Sequence, residues 1–275
     1  MSKYSQNYVI TCDCMDIDYR LKPIEILMYF QDCFARYLTL RHIGAFDLIK
    51  DDLYWVISDI NVDILTQLPF WSEQIKVSVW VSEITKLKIY TDFELKYKND
   101  TFARGYSCWL LLNRNTKHPV ATDVVFDKMP IHNKLIAREH KKFTLRKTTD
   151  VIASISHKTN ISDIDFNNHV NNKSYINIAE MTIPNEFRAN HLLKNLSVKY
   201  CKEAFFGDEL ICTTYNTDTK DSYVNKIQKD GITMCEINTK WEEVSNQNRI
   251  NDFPLKLRNC KNENDAVSFE DLPKD

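Results

Sequence analysis

The sequence predicts an α+β fold: one long, curled antiparallel sheet wrapping two central helices, built from a unit repeated in tandem. Two amphipathic helical stretches are each preceded by one strand-like segment and followed by four, so the same order is read twice along 275 residues. Short residue patterns echo between the halves at matching places, as an internal duplication leaves them. Polar turn clusters, not further helices, separate the strand-like segments, which favours antiparallel pairing.

Residues 5–12 read as a short strand. In the stretch that follows, Ile26, Leu27, Phe30, Cys33, Phe34, Tyr37 and Leu38 keep the spacing of a helix with one buried stripe, and Pro23 suits its first turn. Segments 53–65, 74–83, 86–97 and 101–113 are rich in Val, Ile, Tyr, Trp and Phe and read as strands, with clusters such as Lys98-Asn99-Asp100 between them. Residues 126–150, with Pro130 and a basic run from Arg138 to Lys147, read as a linker. The second half expects a strand near 151–158 and a helix from Asn172 to about Pro184. Strands at 191–202, 208–217, 221–229 and 232–243 follow. Beyond residue 245 the chain is polar and reads as a tail.

The halves correspond in detail. Asp16-Ile17-Asp18-Tyr19 precedes the first helix and Asp163-Ile164-Asp165-Phe166 the second. Val62-x-Ile64-x-x-Gln67-x-x-Phe70-x-x-Glu73 echoes Val198-x-Tyr200-x-x-Glu203-x-x-Phe206-x-x-Glu209, and Asp100 and Asp230 fall in corresponding hairpins. A helix wrapped by a curled antiparallel sheet is the hotdog arrangement. The expectation is a tandem, or double, hotdog with an N-terminal unit over 1–125 and a C-terminal unit over 151–245.

Net charge of −2 gives no general attraction to nucleic acid or to an anionic membrane surface. Only four glycines are present, and neither GxGxxG nor GxxxxGK[ST] occurs, which argues against a nucleotide-binding loop. Cys12, Cys14, Cys33, Cys108, Cys201, Cys212, Cys235 and Cys260 form no CxxC and no zinc-like grouping with histidine. No apolar run reaches the ~18 residues of a membrane span. The expectation is a cytoplasmic protein with reduced thiols, no metal and no cofactor.

The densest polar block is Asp163-Ile-Asp165-Phe-Asn167-Asn168-His169-Val-Asn171-Asn172, immediately before the second helix. A loop that merely caps a helix, through Asn172 or Ser174, would use the same residue types. Phe166 and Val170, alternating with polar residues, suggest instead a loop crossing a buried zone. Thioester hydrolysis needs a base for water and donors for an oxyanion. His169 can take a proton near neutral pH. Backbone N–H groups opening the helix can hold the oxyanion. Asp165 and Asn167 can fix the imidazole tautomer and orient the substrate carbonyl. Glu203 is the candidate second acid across the cavity.

SDIDFNNHVNNKSYINIAE resembles the catalytic segment of plant and bacterial acyl-ACP thioesterases, whose pattern is Asp-x-Asn-x-His-Val-Asn-Asn followed by an aromatic-rich helix with a Glu. Asp165, Asn167, His169, Val170, Asn171 and Asn172 match in order, and Glu180 matches the helix acid. Tyr200-Cys201-Lys202-Glu203 resembles the segment carrying the family's second catalytic acid. Ala103-Arg104, Ser107-x-Trp109 and Asn113-x-x-Thr116 resemble a strand of its first half. The resemblance implies hydrolysis of fatty acyl-ACP, with Asp165, Asn167, His169 and Glu203 catalytic, Asn171 and Asn172 at the substrate, and acyl carrier protein as partner. It departs from the plant pattern where that places a cysteine after the second acid: Ala204 stands there. Direct attack by water is therefore expected.

In the first half Arg20 and Lys22 are read at the places of Asn167 and His169, and Gln67 at that of Glu203, so one active site per chain is expected. Tyr54, Trp55 and Ile57 would line an acyl pocket, although core is the commoner role for such residues. His42, His118, His132, His140, His157 and His191 show no partner pattern. Arg138, Lys141, Lys142, Arg146 and Lys147 form either a solvated face or a dock for an acidic carrier. The residues alone leave three other functions open: acyl-CoA hydrolysis, 3-hydroxyacyl-ACP dehydration, or non-catalytic acyl binding. Neither nucleic acid binding nor membrane insertion is expected, and association into a homodimer is left open.

Overall fold

The computed structural model describes residues 2–16, 18–132 and 143–244. The first half holds β1 (Lys3–Val9), α1 (Glu25–Leu40), α2 (Ala45–Leu48), β2 (Leu53–Ile64), β3 (Gln74–Ile84), β4 (Ile89–Tyr97), β5 (Asp100–Asn113), β6 (Pro119–Val120) and α3 (Asp123–Phe126). The second holds β7 (Thr148–Lys158), α4 (Asn172–Glu180), α5 (Asn185–Asn190), β8 (His191–Tyr200), β9 (Glu209–Thr217), β10 (Ser222–Lys229) and β11 (Ile232–Glu243).

All the strands join one 11-stranded sheet in the order β1-β3-β4-β5-β2-β8-β11-β10-β9-β7, with β6 added beside β5. Substituting each of β1–β5 by its counterpart in β7–β11 reproduces the order read from the other end. This is the double hotdog expected from the sequence. The seam is the antiparallel β2–β8 pair, from Asp59↔Lys199 to Asp63↔Asn195. The Asn195 amide pins it by donating to Asn61 Oδ1, the Val62 carbonyl and Asp63 Oδ1 at 3.2, 3.0 and 2.7 Å.

The equivalence reaches single residues. A bulge leaves Ser58 unpaired between Ile57↔Trp109 and Asp59↔Cys108. Its counterpart leaves Lys194 unpaired between Leu193↔Trp241 and Asn195↔Lys240. Such bulges bend a strand and sharpen its twist, so the sheet curls at the same place in both halves. Trp109 Nε1 donates to Ser107 at 2.7 Å and Trp241 Nε1 to Thr239 at 3.0 Å, two residues back in each case.

Helix α1 buries the expected stripe: Ile26, Leu27, Phe30, Cys33, Phe34, Tyr37 and Leu38 are all at most 3 % exposed. Phe30 stacks on Phe93 with ring centroids 4.1 Å apart, and Phe34 lies 4.8 Å from Trp109. Gly105 permits this packing, since a Cβ there would meet Phe93 Cζ at 2.6 Å and the Asn61 carbonyl oxygen at 2.0 Å.

Several boundaries differ from the sequence reading. The first strand stops at Val9 because Cys12–Cys14 wind into a 3-10 turn. Strand β4 starts at Ile89, not 86, because Thr85 and Lys88 close a turn. The second helix ends at Glu180, and α5 starts only after Pro184, which cannot donate into a continuing helix. In the β4–β5 hairpin the counterpart of Asp230 (φ 49°) is Lys98 (φ 55°), since Asp100 already pairs with Tyr97. The start of the expected linker packs on the first half: Met129 is buried and Ile131 bridges Val81. Of the basic run, Arg138, Lys141 and Lys142 lie outside the described residues. Arg146 is tied to β11, donating through Nη1 to the Thr239 carbonyl at 2.7 Å, so it is not a free docking cation. Lys147 is exposed. Among the described residues, no helix is long and apolar enough to cross a membrane, and no group of His, Cys, Asp and Glu could hold a metal ion.

Candidate active site

The Asn-rich loop is built from its own backbone outward. Ile164 and Val170 bridge each other, and the Asp165 N–H donates to the His169 carbonyl at 2.9 Å, which closes the loop. Asn168 makes the turn with φ 64°, a left-handed conformation that asparagine tolerates. Asp165 Oδ1 accepts from the Asn167 and His169 N–H groups at 2.8 and 3.3 Å. Asp165 Oδ1 thus holds the loop's backbone. Val170 is buried as expected, but Phe166 is 84 % exposed: alternation through a turn does not place both residues on one side.

The loop carries His169 to Glu203. Nδ1 of His169 lies 3.3 Å from Glu203 Oε1, and the Phe205 ring meets the imidazole edge-on at 5.3 Å. Glu203 sits just beyond β8, where Val170 N–H donates to the Ala204 carbonyl at 2.8 Å and locks loop and strand end together. The first half supplies the other wall. Tyr54 OH donates to Glu203 Oε1 at 2.9 Å, and Lys117 Nζ lies 3.6 Å from Oε2. Burial first, and the Glu203 carboxylate second, push the Tyr54 phenol well above its ordinary value, so it remains a donor at neutral pH.

Arg114 orients Asn167. Its Nη2 donates to Asn167 Oδ1 at 3.4 Å. A guanidinium can only donate, so the amide oxygen must face it and the Asn167 NH2 is left to donate elsewhere. Arg114 also keeps Nε buried with no hydrogen-bond partner among the described residues. The Asn113 side chain shapes this turn by accepting from the Asn115 and Thr116 N–H groups at 3.0 and 2.9 Å. Lys117 (φ 60°) then bends back so that Nζ reaches Tyr54 OH at 3.4 Å.

The remaining expected residues have the following contacts. Asn171 caps α4, its Oδ1 accepting from the Lys173 N–H at 2.8 Å, and the Asn172 carbonyl accepts from Tyr200 OH at 3.3 Å. The expected row of free N–H groups opening the helix is largely spent: Val170, Asn171, Lys173 and Ser174 each donate within the protein. Trp55 faces away from Tyr54, as neighbours on a strand must, and its indole donates to the Ile43 carbonyl at 2.9 Å. Ile57 is core.

Residues 1–127 match the acyl-ACP thioesterase N-terminal domain, and residues 146–243 the acyl-ACP thioesterase C-terminal domain. The chain belongs to the acyl-ACP thioesterase family. It is 26 % identical over 208 residues to the chloroplastic oleoyl-acyl carrier protein thioesterase 2 of Arabidopsis thaliana, covering 71 % of this chain and 54 % of the relative. It is 26 % identical over 166 residues to a palmitoyl-acyl carrier protein thioesterase of the same plant, covering 57 % and 40 %. The chain thus spans about half the length of the curated relatives it matches. Its fold is that of the 12:0-ACP thioesterase from Umbellularia californica, with TM-score 0.78, 16 % identity, and coverage of 88 % of this chain and 98 % of that one. An acyl-ACP thioesterase from Bacteroides thetaiotaomicron matches with TM-score 0.76, 21 % identity, and coverage of 88 % and 98 %.

Arg114 and Lys117, which reach Asn167 and Glu203, were not among the residues expected from the sequence. The Asn113-x-x-Thr116 pattern was the available signal, because an Asn that caps its own turn aims the residues around it. The sequence reading also missed that His157 is paired: its Nε2 lies 2.9 Å from Asp163 Oδ2, and Asp163 in turn caps the turn that starts the loop. In the other half, backbone pairing corrects the expected equivalence by two residues. Asp16 N–H donates to the Arg20 carbonyl and Leu21 N–H to the Pro69 carbonyl, as Asp165 does to His169 and Val170 to Ala204. Arg20 therefore stands in the place of His169. The turn after β2 is one residue longer than its copy, which puts Leu68, not Gln67, in the place of Glu203.

Proposed function

We propose that this chain hydrolyses the thioester of a fatty acyl chain on acyl carrier protein, releasing free fatty acid, with Glu203 and His169 activating water. The observation that carries the reading is the Glu203–His169 pair, 3.3 Å apart and backed by Tyr54, set in one half of a duplicated fold whose other half has Arg20 and Leu68 instead. Glu203 takes a proton from water as its oxygen attacks the carbonyl carbon. Asn167 NH2 and Arg114 supply donors for the developing oxyanion. The C–S bond then breaks, the acyl group leaves as the acid, and the proton passes from the Glu203–His169 pair to the departing thiolate. No cysteine is needed: Ala204 stands after Glu203, and the Cys201 thiol is pushed up by desolvation first and the Glu236 carboxylate second.

The names of the relatives support a fatty acyl-ACP as substrate. The seven described cysteines are all unpaired, which fits a reducing compartment such as the cytoplasm. The test is thiol release from a panel of acyl-ACPs, C8 to C18, by wild type and His169→Ala. Release by wild type and a fall of at least ~10² in the variant are expected for loss of a catalytic base. Turnover that survives the substitution would discard the assignment. Docking of the carrier on the basic segment predicts that charge reversal at Lys141 and Lys142 raises KM for acyl-ACP only; an equal effect on a small thioester would argue against it.

A further inference from the structure

The two oxygens of the Glu203 carboxylate have unlike surroundings. Oε1 accepts from Tyr54 OH at 2.9 Å and lies 3.3 Å from His169 Nδ1. A carboxylate oxygen offers about two acceptor sites, so Oε1 has little room for a third donor. Among the described residues, Oε2 accepts no hydrogen bond, and the one lysine or arginine paired with it is Lys117, with Nζ at 3.6 Å. That separation is too long for a hydrogen bond but close enough for the charge to be felt. The side chains of Lys117 and Glu203 are 51 % and 29 % exposed, so water reaches Oε2.

Lys117 is placed by the turn that carries it. Asn113 Oδ1 accepts from the Thr116 N–H at 2.9 Å and from its hydroxyl at 3.3 Å, and the Lys117 N–H donates to the Asn113 carbonyl at 2.9 Å. The chain then turns back toward β2, which brings Nζ to 3.4 Å from Tyr54 OH and 4.9 Å from the centre of its ring. We propose that Glu203 takes its proton from water at Oε2, and that Lys117 is a positioning residue that acts through this oxygen, holding it unprotonated for the attack. The inference rests on the reading of Glu203 as the base, and it names the oxygen that works and the group that sets its charge. In the step, a proton of water moves to Oε2. The electron pair of the broken O–H bond becomes the new bond to the carbonyl carbon, and the carbonyl oxygen takes up the negative charge. A cation beside the resulting carboxylic acid favours release of that proton to the departing thiolate. The other groups facing Glu203 do not supply this charge at Oε2. Burial first raises the phenols of Tyr54 from β2 and Tyr175 from α4, so both are neutral. His169, from the loop, lies against Oε1, and Arg114 directs Nη2 at Asn167 Oδ1.

The test is the pH dependence of kcat/KM from about pH 5 to about pH 9. Wild type, Lys117→Met and Lys117→Arg are compared on an acyl-ACP and on a small acyl thioester, after their melting temperatures are checked. The acid limb reports the essential base of the free enzyme, here the Glu203–His169 pair as a unit. A carboxylate that loses a neighbouring cation takes up a proton at higher pH. In Lys117→Met the limb should therefore move up by about half a unit to one unit, the scale of one solvent-screened charge at this distance. The ratio of wild type to Lys117→Met should grow by about three- to tenfold between neutral pH and the acid limb on both substrates. Lys117→Arg, which keeps the charge, should restore the wild-type limb. A loss of the same size at every pH would mean a merely structural role, and a higher KM for acyl-ACP alone with an unmoved limb would make Lys117 a carrier contact; either result overturns the inference. An unmoved limb beside an inactive Glu203→Gln overturns the inference alone, whereas an active Glu203→Gln removes the base itself and the inference with it.

Discussion

Glu203→Gln is the sharpest test of the catalytic pair. Glutamine keeps the length and shape of the side chain, and its amide oxygen can still accept from Tyr54 OH, which lies 2.9 Å from Glu203 Oε1. What it loses is the capacity to take a proton from water. Losing a positioned base costs about 10²–10⁴ in rate, or roughly 3–5 kcal/mol of barrier at 1.36 kcal/mol per decade. The loss should fall on kcat, with KM for a small acyl thioester little changed, because no part of the chain-binding surface is altered. The assay is thiol release under saturating substrate, with His169→Ala and the double variant measured alongside. Groups that act as one unit are not additive, so the double variant should be about as slow as the worse single one. A Glu203→Gln enzyme within about fivefold of wild type, a loss well short of the ~10² expected for a base, would refute the assignment. Two fully additive losses would refute the claim that the residues work as a pair.

Other substitutions probe the supports. Arg114→Met should lower kcat by about tenfold or more while leaving KM nearly unchanged, since Asn167 loses the group that fixes which amide end faces the site; Arg114→Lys should recover part of the loss. Asp163→Asn should lower stability by about 1–3 kcal/mol at neutral pH. Burial alone would push the Asp163 carboxyl up, but hydrogen bonds from the Asn160 backbone and from His157 more than offset it and leave it below its ordinary value. A lowered folded value means the contribution is complete above the unfolded value near ~3.9 and is lost as pH falls through the lower folded one. The gap in melting temperature between wild type and variant should therefore be full above about pH 5 and close in stronger acid; a gap that ignores pH would count against it. Phe30→Ala should cost about 3–5 kcal/mol by removing the stack on Phe93, a drop of roughly 6–20 °C in melting temperature at 2–4 °C per kcal/mol.

The architecture was legible because it is repetitive. Helix α1 declared itself through the spacing of Ile26, Leu27, Phe30, Cys33, Phe34, Tyr37 and Leu38, and all seven are buried. Strands β2, β5 and β11 fell within a residue of their expected limits, since their apolar content stops at polar turns. Short elements were not legible. Helices α2, α3 and α5 have 4, 4 and 6 residues and no periodicity to read. Within the site, the Asn-rich loop announced His169 but not the tasks of its neighbours. Whether Asp165 contacts an imidazole or two backbone N–H groups is decided by the turn at Asn168, whose φ of 64° no spacing reveals. Arg114 and Lys117 lie more than fifty residues from His169, and only the closing of the sheet at the β2–β8 seam brings them to it.

The seam also explains why the two loops of a duplicated chain have unlike surroundings. Each loop faces strands from the opposite half, so each site is built from both. The candidate active site combines the second loop with Tyr54, Arg114 and Lys117 of the first half. Its counterpart combines the first loop with Leu193 and Trp241 of the second. A substitution in either half is therefore felt at both places, through the loop it carries at one and the wall it carries at the other. Once a site needs only one base, the other loop is released from that requirement, and Arg20 can stand where an imidazole stood. What remains constrained is the backbone: Tyr19 at φ 60° and Asn168 at φ 64° make the same turn, and the same N–H groups reach the same carbonyls in both halves. The frame that brings His169 to Glu203 in one half brings the Arg20 guanidinium to the Leu68 carbonyl in the other.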